Sequence, residues 1–183
     1  CYKETDIPLD KRPELDRWIL SSLYSVIAQV DEHFDNYEPT KAARLISSFV
    51  TEDLSNWYVR LSRRRFWKGT YEEDKISAYQ TLYTCLISIA KLMAPIAPFY
   101  ADRLYQDLDA TTEKEQYASV HLAYFPTANN ECIAADLEKK MQLAQRIVSL
   151  VLSIRKKEKI KVRQPLQKVL IPALDSQEKQ AIL

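Results

Sequence analysis

Glycine is almost missing from this chain: Gly69 is the only one in 183 residues. Turns that need positive φ, Schellman caps and glycine-rich loops that cradle phosphates are therefore expected to be nearly excluded, and long helices are what remain. Cysteine and histidine are just as sparse. Cys1, Cys85 and Cys132 lie far apart and the only histidines are His33 and His121, so no CxxC pair or His/Cys cluster has zinc-ligand spacing. Unpaired thiols of this kind fit a reducing compartment. No apolar run approaches bilayer length and no charged-apolar-small leader opens the chain, so a cytoplasmic protein with no membrane partner is the expectation. An initiator Met is absent, and Ser176 to Leu183 reads as helix up to the last residue. The chain is expected to be a piece of a longer polypeptide, holding one domain and part of a second.

Charge is present, and it is segregated. Arg60 to Lys68 carries five cations and no acid; Arg155 to Lys168 carries seven cations against Glu158 alone. With a total of +1, the rest of the chain stands at −10. Two basic clusters on an acidic body suit a polyanion held at one place on the surface.

Apolar residues recur at helical spacing through most of the chain. Leu15, Ile19, Leu23, Val26, Val30 and Phe34 predict a helix from about Arg12, with Pro13 in its opening turn. A second helix from about Thr40 carries the stripe Ala43, Ile46, Val50, Leu54, Trp57 and Leu61. A third, from about Glu72 to Met93, buries Ala78, Leu82, Leu86, Ile89 and Leu92 or Met93 and is stopped by Pro95. A fourth follows from Phe99 to Leu108, Asp109 to Gln116 is a polar connection, and Ser119 to Pro126 is extended over the bundle. A fifth runs from Ala135 to Lys159 and packs through Leu137, Met141, Ala144, Val148 and Val151. Ile160 to Pro165 is predicted extended because Gln164 precedes a proline, and Lys168 to Pro172 reads as a strand. The fold class is all-α, an antiparallel helical bundle over 1–159, with 160–183 an extended segment and the truncated start of a small α/β module.

The densest chemical signal is Asp53 to Trp67, Asp-Leu-Ser-Asn-Trp-Tyr-Val-Arg-Leu-Ser-Arg-Arg-Arg-Phe-Trp. On a continuing helix Arg60, Arg63 and Trp67 share a flank, while Arg64 falls on the apolar stripe, a costly place for a cation that is not paired. Guanidinium groups that fork onto phosphates beside rings that stack on unpaired bases would make an RNA surface. Read as packing instead, Trp57, Phe66 and Trp67 are core and the arginines are a solvated face. In Lys159 to Arg163 the cations alternate with Ile160 and Val162, as on a strand with one wet face along which a polyanion could lie. His121, between Val120 and Leu122, is expected to be packed or hydrogen-bonded, His33 to sit at a helix end, and Asp53 to pair with one of the arginines. No nucleophile with an adjacent base, no carboxylate dyad and no metal set stands out, so no catalytic residue is assigned.

These blocks resemble the anticodon-binding domain of the isoleucyl-tRNA synthetases, class I aminoacyl-tRNA synthetases. Asp53 to Trp67 resembles that family's Asp-Leu-Ser-Asn-Trp-Tyr-Val-Arg segment and its arginine-rich continuation. Leu15-Asp-Arg-Trp-Ile19, Met93-Ala-Pro-Ile-Ala-Pro-Phe99, Ser119-Val-His-Leu122 and Lys161-Val-Arg-Gln-Pro-Leu166 match in the family's order. The resemblance spans about Leu15 to Leu170 and looks nearest to the subgroup shared by eukaryotes and some bacteria. It implies recognition of isoleucine tRNA at its anticodon stem and anticodon, with Arg60, Arg63, Arg64, Trp67, Lys161, Arg163 and Gln164 facing RNA and Trp57 and Leu61 kept as core. Arg64 could instead brace the junction with the catalytic domain. ATP and Mg would serve the full-length ligase, whose His-Ile-Gly-His-like and Lys-Met-Ser-Lys-Ser signatures do not occur in this chain; no cofactor is expected in the piece. The partners implied are isoleucine tRNA and the catalytic and editing domains of the same polypeptide, with the piece itself monomeric. The alternatives are the equivalent domain of a valyl enzyme and a helical module that docks another protein.

Overall fold

A computed structural model of the chain describes residues 5–68 and 70–171. Six α-helices account for most of them: α1 Glu14–Asp35, α2 Pro39–Ser48, α3 Arg63–Trp67, α4 Glu73–Met93, α5 Pro98–Thr112 and α6 Ala135–Lys157. No strand occurs among the described residues, as an all-α class requires. The chain separates into two compact units, Cys1–Ala134 and Ala135–Leu183, dividing earlier than the 159/160 boundary expected from the sequence.

In the first unit α1 is the central element and packs on α2, the segment after it, and α4. Pro13 is its N-cap, and Trp18, Ile19, Leu20, Leu23, Ile27 and Val30 form a buried face broader than the predicted stripe. Burying each such side chain contributes about 1.5–3 kcal/mol. On α4 the buried positions include polar Ser77, Gln80 and Thr81. The segment before α1, which holds a 3-10 turn at Leu9–Lys11, accounts for two of them: Ile7 N donates to Gln80 Oε1 at 2.9 Å and Arg12 donates to Thr81 Oγ1 at 2.8 Å. A second cluster of Ile87, Ala90, Ala101, Tyr105 and Val120 joins α4 to α5.

The predicted second helix does not stay α-helical. Phe49–Val59 is an eleven-residue π-helix that continues from α2. Hydrogen bonding from i to i+5 adds a residue to the turn and shifts the inward face. The buried positions run Ala42, Ile46, Phe49, Leu54, Tyr58 and Ser62, with a step of five inside the π-helix. This corrects two core assignments: Leu61 is 54% exposed and Trp57 is only half-buried, while Tyr58 is wholly buried.

Scarcity of glycine does not prevent left-handed helix ends, contrary to expectation. Tyr37 (φ 58°), Glu113 (φ 52°) and Lys159 (φ 56°) follow α1, α5 and α6. After α1, Glu38 N bonds to His33 O and Tyr37 N to Phe34 O; after α6, Ile160 N bonds to Arg155 O and Lys159 N to Lys156 O. Both are Schellman motifs, and the satisfied carbonyls offset the roughly 1–2 kcal/mol that a side chain costs in this region.

Three further segments depart from the sequence reading. α5 continues to Thr112 through part of the predicted polar connection. Val120–Leu122 is a 3-10 turn, held by Asp102, which accepts from Ser119 Oγ at 2.6 Å and from Val120 N at 3.0 Å. In the second unit Lys161 to Gln164 closes a turn, with Gln164 N on Lys161 O at 3.0 Å, and residues 168–171 form no strand. Pro172 and the expected terminal helix lie outside the described residues.

Candidate nucleic-acid interface

The arginine run straddles the edge of the core. α3 is a single five-residue helix whose N-cap, Ser62, makes no capping hydrogen bond. A helix this short does not persist by its own propensity. Two of its side chains point inward and tie it down. Phe66 sits edge-on to Tyr58 at 6.4 Å and tilted against Tyr79 at 5.3 Å, and the Tyr79 hydroxyl donates to Phe66 O at 3.2 Å. Arg65 forks onto Asp16 of α1, Nη1 to Oδ1 at 2.6 Å and Nη2 to Oδ2 at 2.8 Å. It also donates through Nε to Asp74 Oδ2 at 3.0 Å and through Nη2 to Asp74 O at 2.9 Å.

Asp16 is 0% exposed, and its charge is met on all sides. Besides Arg65, it accepts from the Tyr58 hydroxyl at 2.9 Å and the Ser77 hydroxyl at 2.6 Å. A buried carboxylate is tolerable on this condition: a forked partner, with hydrogen bonds on the remaining lone pairs. Burial opposes charge on Arg65, but its bonds to Asp16 and Asp74 outweigh that and hold its pKa above the ordinary arginine value. Burial first, and then the neighbouring Asp16 charge, raise the Tyr58 hydroxyl well above the usual tyrosine range.

The other members of the run face outward. Arg60, Arg63 and Arg64 are exposed, and Trp67 is 81% exposed. Arg63, Arg64, Trp67 and Lys68 line a shallow hollow of about 350 Å³. This places three of the sequence-predicted residues together, with Arg60 on the preceding turn. It also moves the buried role from Arg64 to Arg65. The π-helix causes that shift, because adding a residue to the turn carries Ser62 and Arg65 inward and leaves Arg64 outside.

Lys161, Arg163 and Gln164, in the second unit, are all exposed, and a turn replaces the predicted strand face. Arg155, at the end of α6, organises that turn. Its Nη1 donates to Lys161 O at 2.9 Å, Val162 O at 3.4 Å and Gln164 O at 3.0 Å. With the backbone carbonyls bound inward to one guanidinium, the side chains of the turn are left to solvent.

Among the remaining candidates, His121 is exposed rather than packed, while Val120 beside it is buried. His33, near the end of α1, is half-buried with Nδ1 3.2 Å from Glu38 Oε2. Asp53 is half-buried on the π-helix. A second hollow of about 320 Å³, lined by Ile46, Val50, Leu86, Ile89, Met93 and Leu104 among others, has no charged side chain and so no cation to neutralise a phosphate. No helix among the described residues is long and apolar enough to cross a membrane. Sequence reasoning missed Asp16, Arg65 and Arg155 as organisers of the two basic surfaces. Asp16 was the findable one, since it is an acid at the third position of a helix where Leu15 and Ile19 predict the buried face.

Residues 16–170 match the family described as the anticodon-binding domain of tRNA ligases. Isoleucine–tRNA ligase of Bacteroides fragilis is 58% identical over 178 residues, covering 97% of this chain and 16% of that protein. The Porphyromonas gingivalis isoleucine–tRNA ligase is 56% identical over 98% of the chain and 15% of that protein, and the Chlamydia trachomatis one 48% over 92% and 16%. The chain thus spans about 16% of the length of the first of these relatives.

Proposed function

The chain belongs to the family of anticodon-binding domains of tRNA ligases, and from that premise we propose that it is the part of an isoleucine–tRNA ligase that grips the anticodon arm of isoleucine tRNA. The observation that carries the reading is α3 and its C-cap, where Arg63, Arg64, Trp67 and Lys68 form one exposed hollow beside the Arg65–Asp16 ion pair. Arg60, Arg63 and Arg64 contact phosphates of the anticodon stem, and Trp67 stacks on a base of the splayed anticodon. Lys161 and Arg163 add phosphate contacts, and the Gln164 amide, with both a donor and an acceptor, reads a base edge. Three relatives named isoleucine–tRNA ligase, each matched over most of this chain, favour the isoleucyl over the valyl reading.

The parent enzyme joins isoleucine to its tRNA at the expense of ATP, with Mg, in catalytic and editing domains that are partners of this one. Neither ATP nor Mg is assigned to residues of this chain. We place the parent in the cytoplasm and take this domain to be monomeric.

A titration against isoleucine tRNA, valine tRNA and an isoleucine tRNA with a replaced anticodon, at two salt concentrations, tests the proposal. Neutralising about six phosphates gives a log-log salt slope of about −4 to −5, together with preference for the intact isoleucine anticodon. Equal, salt-insensitive binding to all three overturns the reading and leaves a protein-docking module in its place.

A further inference from the structure

We propose that Asp16 and Arg65 are positioning residues for RNA binding, holding α3 so that Arg63, Arg64 and Trp67 meet the RNA in a single fixed pose. The inference rests on the reading above and extends it to Asp16, which is wholly buried, and to Arg65, whose guanidinium is taken up by Asp16 and Asp74.

Each side of the argument is geometric. α3 is one short helix that joins the preceding helical segment through a turn at Ser62 and has no side-chain cap, so side-chain contacts fix how it lies beyond that turn. Arg65 imposes it with two parallel bonds to Asp16 on α1 and two more to Asp74 on α4. A bidentate fork fixes direction as well as distance, which a lysine ammonium does not. The Tyr58 and Ser77 hydroxyls hold the Asp16 carboxylate from the π-helix and from α4, so the acid has no freedom to follow a displaced arginine. Arg63, Arg64 and Trp67 stand on the same turn as Arg65, and any tilt of that turn moves all three contacts together. Flexible cations on a loose turn would still attract RNA; what the pair adds is register.

Asp16→Asn, Arg65→Lys and Tyr58→Phe in the parent ligase form a graded series, the last removing one hydroxyl while leaving the ion pair. Three quantities are read on protein verified as folded by its unfolding temperature. They are the Kd for isoleucine tRNA at two salt concentrations, the KM and kcat of tRNA charging, and isoleucine-dependent ATP–pyrophosphate exchange without tRNA. Asp16→Asn and Arg65→Lys are expected to raise Kd and the tRNA KM about tenfold, the loss of one charge-assisted contact. Pyrophosphate exchange stays at the wild-type level, and Tyr58→Phe shows a smaller change in the same direction. Wild-type Kd and KM in the folded variants, with only the unfolding temperature lowered, would overturn the proposal and make the pair structural. A wild-type enzyme whose tRNA binding ignores both salt and anticodon would instead overturn the underlying reading, and the positioning role with it.

Discussion

The two basic clusters carry similar charge but are built in opposite ways. At α3 the cations stand over the Arg65–Asp16 ion pair, and their pose depends on Asp16, which is distant in sequence both from Arg65 and from the Tyr58 and Ser77 hydroxyls that hold it. At the end of α6 the cations stand on a turn whose carbonyls are gathered by Arg155, a neighbour within nine residues of its farthest partner, and no residue of α6 is buried. Charge counts cannot distinguish a surface supported by tertiary contacts from one supported by its own backbone. The difference predicts where stability and binding are coupled and where they are separable.

The comparison breaks most visibly at Asp16. Asp16→Ala removes the carboxylate that Arg65, Tyr58 and Ser77 share, leaving Arg65 to Asp74 and Tyr58 to the Ala78 carbonyl, and is expected to cost about 3–5 kcal/mol in urea-induced unfolding. A loss below about 1 kcal/mol would mean that Arg65 transfers fully to Asp74 and that the two clusters are supported alike. Trp67→Ala sharpens the contrast from the other side. The ring is 81% exposed, so stability should change by no more than about 0.5 kcal/mol, while RNA affinity falls by about 1–3 kcal/mol if a base stacks there. Unfolding and binding measured on one preparation separate the two effects. Trp57→Ala falls between them: half-buried, it should destabilise by about 1–2 kcal/mol, well under the cost of a fully buried indole.

Phosphate contacts give a smaller effect that both clusters share. Arg63→Ala combined with Arg163→Ala is expected to weaken tRNA binding and to flatten the log-log salt slope by about 1.4–1.8, with the unfolding midpoint unchanged. An unchanged slope would remove both arginines from the interface. A small change in stability is also expected at Arg155. Its partners are solvent-exposed carbonyls, so Arg155→Ala should shift unfolding by about 1 kcal/mol or less, and its consequence should appear as lost affinity through Lys161, Arg163 and Gln164.

How far each region could be read in advance follows from the range of the forces involved. Helices α1, α4 and α6 begin and end within two residues of their predicted limits, because apolar recurrence and proline stops are local. The exposed state of Arg60 and Arg63 follows from the same periodicity. The π-helix has no local signature of that kind: its residues suit an α-helix, and the added residue per turn shows only in which side chains reach the core. That single shift reassigned Leu61, Trp57, Arg64 and Arg65 together. Tyr37 and Lys159 were illegible for a related reason, since paired carbonyl bonds outweigh a steric preference that sequence reading treats as decisive.

The helical class, the family resemblance and the presence of two basic clusters were determined by the sequence alone, through periodicity, motif order and charge spacing within short windows. The tertiary structure alone decided which arginine turns inward, because the energy of that choice lies in a carboxylate 49 residues away from it in sequence. A cation enters the core only where a partner and its hydrogen bonds already wait, and chain folding, not local pattern, brings Asp16, Tyr58 and Ser77 to that point.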